Sequence, residues 1–447
     1  MEKQGNGAKG QTRREFMAAS AVFAAPLILP ASVLGREGTV APSERINVGL
    51  IGAGGQGRGL GDNAIHQPDV QLTMVSDLNR RTLTQATRMV GDYYGNRDTK
   101  AFTDYRELLE QDGLDAVIIA TPDHWHALIS IAAAGKKKDI YCEKPLTWSL
   151  GEGRAVVKAV RDNGIVFQTG SMQRSGREFK QACEIIRNGY MGKIKHINVC
   201  LPDFGDRVWA DSFPEPPRHL DWEFYVGPAV WTPFHPERYD WNWRWWMGFG
   251  GGQMMDWIGH HGDIAHMAMG WDNTGPVEVD GVLWEMPPAN ERNNLYDAPA
   301  GYRFECRYAD GTTMTVANRS NMPAEYAQFD SLGTQFINDK GEWLYVDRGK
   351  IASSPESILK VDFKESDFRF RREPNHMRDF LDCVKSREEP IAPVEAGHRS
   401  ASIGHLGKIA CTLGAKLQWD PATETFTDNP ALNGMLTRKY RGEWKLG

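Results

Sequence analysis

No stretch of the sequence is long and apolar enough to read as a comfortable membrane span. The one extended apolar segment, Met17 to about Leu34, is kinked by Pro26 and Pro30 and lies where a signal h-region would lie. None of the six cysteines (142, 183, 200, 306, 383, 411) forms a C-x-x-C pair, which excludes a disulfide framework of regular spacing and predicts free buried thiols. There is no H-E-x-x-H, no internal repeat and no low-complexity tract. Basic residues are outnumbered, 52 against 58, for a net charge of −6. A chain this acidic repels phosphate backbones, so nucleic acid is not an expected partner.

What is present is the balance of a soluble globular protein, 41% hydrophobic and 25% charged. The 447 residues are too many for one ordinary core and suit two domains after a leader. That leader is residues 1–35. Thr12-Arg13-Arg14-Glu15-Phe16-Met17 before the apolar run resembles the twin-arginine export signal, which a receptor reads and which delivers folded proteins. The expectation is export by that machinery to a periplasmic location, with cleavage near Gly35 or, since no clean A-x-A site stands there, an uncleaved anchor facing the periplasm.

From residue 44 to 170 strands and helices alternate. The runs "INVGLIGAG", "VQLTMVSD", "LDAVIIATP", "DIYCEKP" and "GIVFQTGS" read as strands, with helices such as Leu150 to Arg161 and Ala127 to Ala134 between them. Strands that are apolar throughout predict a parallel sheet covered on both faces, a Rossmann domain. From 171 to 447 the texture changes. Helix 177–188 leads into "KIKHINVCL", and a Pro- and Trp-rich stretch covers 202–252. The strands "VEVDGVLWEM", "GYRFECRYADG" and "TTMTVANRS" follow, then helices 375–385 and 396–413. This predicts a second α/β domain with an open, mostly antiparallel sheet.

Gly52-x-Gly54-x-x-Gly57 ends the first strand and opens a helix. Glycines there allow a tight turn and bring backbone N–H groups to a pyrophosphate at the helix N-terminus. Asp77 closes the next strand, where a carboxylate binds both ribose hydroxyls and repels a 2′-phosphate. That favours NAD over NADP, although Arg80 and Arg81 stand close.

Three stretches could carry chemistry. "TPDHWH" (121–126) follows a parallel strand, so the loop led by Thr121 and Pro122 should face the cofactor. "CEKP" (142–145) ends the next strand, and its lysine can stabilise charge on a substrate oxygen. In "GGQMMDWIGHHGDIAH" (251–266) a helix places Asp256 and His260 on one face. There a carboxylate beside an imidazole suits a base that removes a hydroxyl proton. His260, His261, Asp263 and His266 are also potential metal ligands, but no metal motif joins them, and no metal is expected.

"GAGGQG", "TPDHWH", "CEKPL" and "GGQMMDWIGHHGDI", in this order across 44–420, resemble the glucose–fructose oxidoreductase, inositol dehydrogenase and rhizopine-catabolism (Gfo/Idh/MocA) family. The resemblance implies that Lys144, Asp256 and His260 are the catalytic lysine, aspartate and histidine. It also implies that Glu143, Pro145 and His126 surround the nicotinamide. One departure is local: members often have glycine two residues after the aspartate, whereas here Ile258 stands there and the glycine is Gly259.

Seven of the fifteen tryptophans fall between Trp209 and Trp246. Aromatic rings pack on sugar C–H faces, so these could line a carbohydrate pocket, or equally form a satellite core or a subunit interface. By resemblance the substrate is a sugar or glycoside, oxidised or reduced at a ring carbon such as C3, and the chain forms a homo-oligomer. The sequence also resembles the NAD-dependent α-N-acetylgalactosaminidases, which begin with the same oxidation and end in hydrolysis with the cofactor recycled. Those relatives often lack the lysine of the Glu-Lys-Pro element, so Lys144 favours the dehydrogenase. Export of a folded protein with its dinucleotide aboard implies a tightly held cofactor that is regenerated within each cycle.

Overall fold

The computed structural model describes residues 40–204, 208–287, 294–329 and 331–446; the proposed leader, 1–35, lies outside them. From Ile46 the chain lays down β1 (Ile46–Ile51), α1 (Gly55–Ile65), β2 (Val70–Ser76), α2 (Arg80–Tyr94), β3 (Lys100–Phe102), α3 (Tyr105–Leu109) and β4 (Ala116–Ile119). It continues with α4 (Asp123–Gly135), β5 (Asp139–Cys142), α5 (Leu150–Asn163) and β6 (Phe167–Thr169). The six strands pair in parallel in the order β3-β2-β1-β4-β5-β6. β4 and β5 are buried along their whole length, as expected of a sheet with helices on both faces. Strand order reverses between β1 and β4, which is where ligands sit in such sheets.

The second half begins with α6 (Arg177–Arg187), β7 (Ile194–Leu201), the short α7 (Trp222–Val226) and α8 (Gly252–Met269). Six further strands follow: β8 (Glu278–Glu285), β9 (Gly301–Arg307), β10 (Thr313–Asn318), β11 (Gly333–Asn338), β12 (Trp343–Asp347) and β13 (Lys350–Ser354). The chain closes with α9 (His376–Ser386), α10 (Val394–Leu413), β14 (Lys416–Asp420) and β15 (Thr425–Phe426). The nine strands form one sheet, β13-β12-β11-β7-β10-β9-β8-β14-β15, antiparallel except for the β7–β10 pair. This is the open, mostly antiparallel sheet expected. α6, α8 and α10 pack on it, and their apolar faces join Ile197, Phe304, Met314 and Phe336 in the larger core. All six cysteines are buried and free.

Two long-range features bear on the site. α9 returns to the first sheet, where Met377, Phe380 and Leu381 pack with Val48, Leu50 and Val75. The Trp-rich stretch after β7 reaches back to the end of β2: Arg80 N donates to the His219 carbonyl (2.9 Å), and Asn79 Nδ2 donates to Tyr239 Oη (2.7 Å).

Candidate active site

At the switch point the glycines of the β1–α1 turn answer three separate demands. Gly52 has φ +89°, and a Cβ there would stand 2.6 Å from the Ala120 carbonyl. A Cβ on Gly57 would stand 1.9 Å from the Gly52 carbonyl, so the first turn of α1 lies against the turn itself. Gly54 is different, because a side chain there would meet nothing within 4 Å. That is space for a ligand. Gly54 caps α1 with no side-chain hydrogen bond, so the first amides of the helix are free to bind a pyrophosphate.

Asp77 faces the same cavity and is pinned: Oδ2 accepts from Ala53 N (2.6 Å) and Oδ1 from Asn79 N (2.7 Å). Burial pushes its carboxyl up, against those hydrogen bonds. A carboxylate fixed this way is set to receive ribose hydroxyls. The glycine turn, the open helix end and this carboxylate together fit a dinucleotide.

One cavity of about 1050 Å³ runs from this cradle past the ends of β4 and β5 to α8. Gly52, Gly54, Asp77, Thr121, Pro122, Glu143, Lys144, Asp256 and His260 all line it. Three residues expected at the cofactor do not. Gly57 is packed beneath the turn. His126 is buried with Nδ1 2.8 Å from the Pro145 carbonyl and Nε2 2.8 Å from the Thr121 carbonyl. Its ring therefore lies between the two loops, and with its pKa lowered to about 4 by burial it is a neutral imidazole whose single N–H donates to one of these carbonyls. Pro145 stands behind the lining. Their place is one step removed because both ring nitrogens face backbone carbonyls rather than the cavity.

Lys144 stands just past the end of β5, and α8 crosses over it. The crossing is close at Gly259, where a Cβ would stand 3.1 Å from the Lys144 Cβ. The displaced glycine thus sits where the helix approaches the lysine, while Ile258 packs fully buried in the core. Lys144 Nζ donates to the Asp256 carbonyl and to Oδ1, both at 2.8 Å. Arg244 Nε donates to the same Oδ1 at 3.1 Å. Burial alone would raise the Asp256 carboxyl, but these two cations outweigh it and hold it below its ordinary range.

The predicted Asp256–His260 pairing is not what the structure shows. The carboxylate turns to Lys144 and Arg244, and among the described residues His260 Nδ1 is buried without a partner. Two cations one contact away attract the carboxylate more strongly than a neutral ring can. Burial, with the Lys144 and Arg348 charges adding to it, drives the His260 pKa far down, so the imidazole is neutral.

The remaining residues once weighed as metal ligands are dispersed. Arg174 holds Asp263 through two hydrogen bonds (2.7 and 2.8 Å), His266 meets Tyr308 Oη at 2.8 Å, and His261 stacks on Trp257. No group of three potential metal ligands occurs among the described residues.

Two lining residues were not singled out from the sequence. Asp123, first residue of α4, is buried, and burial followed by the nearby Asp256 charge raises its carboxyl well above the usual range. Arg244, from "WNWRWW", has its guanidinium 4.0 Å from the centroid of Trp241 and 4.5 Å from that of Trp243. The tryptophan-rich stretch divides between packing and cavity lining. Trp222 packs with Tyr225, Val226 and Phe249 in a satellite core, whereas Trp241 and Trp243 line the cavity.

Comparison with known proteins agrees with this geometry. Residues 46–171 match the oxidoreductase family's NAD-binding Rossmann fold, and 210–446 match its C-terminal alpha/beta domain. A myo-inositol 2-dehydrogenase of Thermotoga maritima is 24% identical over 81% of this chain and 95% of its own. A glycosyl hydrolase family 109 protein of Stenotrophomonas maltophilia is 31% identical over 49% of this chain and 48% of its own. The solved structure of levoglucosan dehydrogenase with NADH and levoglucosan superposes with a TM-score of 0.57 at 20% identity, covering 84% of this chain and 99% of that one.

Proposed function

The chain belongs to the Gfo/Idh/MocA oxidoreductase family, and from that premise we propose that it oxidises a ring hydroxyl of a sugar or glycoside, or reduces the corresponding ketone, with its NAD kept in place between turnovers. One observation carries the reading: a neutral histidine and a lysine with a spare proton line the cavity that the dinucleotide cradle opens into.

Each residue has a task. The neutral His260 ring, which lines the cavity, accepts the proton of the substrate hydroxyl. An ammonium has three protons; Lys144 gives two to Asp256 and keeps one for the substrate oxygen as negative charge builds on it. Asp256 fixes the lysine and is itself steadied by Arg244. Bound NAD supplies the hydride acceptor. Asp123, which lines the same cavity, can hold a further hydroxyl.

Retention of the cofactor is supported by the stretch after β7. Its hydrogen bonds to Asn79 and Arg80 lie directly beyond Asp77, so it straps the ribose end of the cradle. This suits the proposal that residues 1–35 direct export of the folded, loaded protein to the periplasm, where no pool of free dinucleotide would replace a lost one. A reporter carrying residues 1–35 should reach the periplasm in cells with twin-arginine machinery, and Arg13→Lys with Arg14→Lys should abolish this. A homo-oligomer is proposed by analogy and is tested by light scattering of the purified protein.

The similarity to a glycosyl hydrolase family 109 protein favours a second reading. Oxidation would acidify the neighbouring C–H, an anomeric group would leave, water would add, and the hydride would return. Incubation with aryl glycosides separates the two. The dehydrogenase leaves reduced cofactor or a keto sugar with the aglycone in place, and the hydrolase releases the aglycone without net reduction.

A further inference from the structure

We propose that Arg348 is a specificity-determining residue that selects sugars bearing an oxyanion, and that the substrate class is a uronate, a sugar carrying a carboxylate. This rests on the reading of the cavity as a sugar site.

Arg348 occupies the turn between β12 and β13 and lines the cavity. The turn is anchored at both residues: Arg348 N donates to Asp347 Oδ1 (2.7 Å), and Gly349 N, at a residue with φ +68°, donates to Glu178 Oε1 (2.8 Å) on α6. The side chain then crosses Trp257, with its guanidinium 4.7 Å from the ring centroid. Trp257 lies three residues before His260 on α8, and their ring centroids are 5.4 Å apart. A flat guanidinium stacked on an indole keeps its N–H edge free for a planar oxyanion.

That edge has no carboxylate to meet. Its polar side-chain partner is the neutral Gln173 Oε1, at 3.4 Å, and no ion pair joins Arg348 to another described residue. The two carboxylates flanking it are engaged elsewhere. Glu178 serves the Gly349 amide, and Asp347 accepts from Ser331 Oγ (2.6 Å) and stands 3.7 Å from His261.

The cavity around His260 does not supply the missing charge either. Lys144 and Arg244 share the single Asp256 carboxylate. Glu143 accepts from Gln56 Nε2 (2.7 Å) and from the Lys144 amide (3.2 Å), and the exposed Asp240, although it lines the cavity, forms no ion pair with Arg348. Arg348 thus faces the cavity without a carboxylate partner among the described residues, and a substrate that brings its own oxyanion completes the pairing.

The test measures binding apart from turnover. NAD-loaded protein is titrated with methyl glucoside, methyl glucuronide and glucose 6-sulfate, followed by tryptophan fluorescence and calorimetry. The glucuronide should bind about tenfold or more tightly than the glucoside, with an advantage that shrinks as salt rises. Arg348→Gln should collapse the glucuronide-to-glucoside ratio toward one, and Arg348→Lys should restore part of it; Arg88→Gln, on the exposed face of α2, should leave the ratio alone. Equal binding of the acidic and neutral sugars by the wild type, or equal losses for both in Arg348→Gln, overturns the proposal. Stronger binding of the sulfate ester than of the carboxylate keeps the arginine's role and overturns the uronate assignment. Selective binding with no reduction of bound NAD sustains the role of Arg348 and counts against the redox function instead.

Discussion

Lys144 meets Asp256 twice, through the carboxylate Oδ1 and through the backbone carbonyl, each at 2.8 Å. The lysine stands just past a strand of the first sheet and the aspartate sits on the helix that crosses it, so this contact also fixes one half of the site against the other. Lys144→Ala should retain NAD and lower kcat by about 10²–10³, measured as single-turnover reduction of the bound cofactor.

Asp256→Asn is predicted to do more to stability. It leaves Lys144 and Arg244, both largely buried, without their shared counter-charge, at a cost of about 3 kcal/mol. Urea denaturation should show a lower midpoint with an unchanged slope.

pH acts on the whole molecule through its histidines. Burial lowers His124, His266 and His405 to about 3 and His126 and His376 to about 4. The unfolded chain takes up protons near 6.5 and the folded chain does not, so stability is fully present above about 6.5 and is lost as pH falls toward 4. Each such group contributes a slope of about 1.4 kcal/mol per pH unit. The melting temperature should drop steeply between pH 6.5 and 5, with proton uptake on unfolding measurable in buffers of different ionisation enthalpy. Burial shifts His260 in the same direction, so kcat/KM should show no acid limb near 6.5 while the protein remains folded.

The strap should govern how fast the cofactor leaves. Tyr239→Phe removes the hydroxyl that accepts from Asn79, a contact of about 1 kcal/mol, and should raise the rate of NAD release about fivefold. Loss of bound dinucleotide on repeated dilution and concentration would report it without any assay of turnover.

Local signals carried much of this molecule. The glycine turn, Asp77, Lys144 and the helix bearing Asp256 and His260 were legible because spacing along the chain dictates where each residue lands on a strand end or a helix face. What could not be read is tertiary. The partner of Asp256 depends on Arg244, which enters from an irregular stretch whose path no periodicity encodes. His126 carried the right motif, yet it lies between loops because two carbonyls happen to flank its ring. Strands β11 to β13, which deliver Arg348, join the sheet on β7, far earlier in the chain, and α9 returns to the first sheet, where Phe380 meets Tyr141 with nothing local to announce it.

The most direct test is the near-ultraviolet band of reduced nicotinamide in protein purified with its dinucleotide aboard. Sugars and glycosides are added, and no external cofactor. The account predicts that the band appears with the wild type on an accepted substrate, and that it is lost in Lys144→Ala and in His260→Ala although both still hold NAD. A band that forms equally well in both variants, or aglycone release with no reduced cofactor at any time, would contradict it.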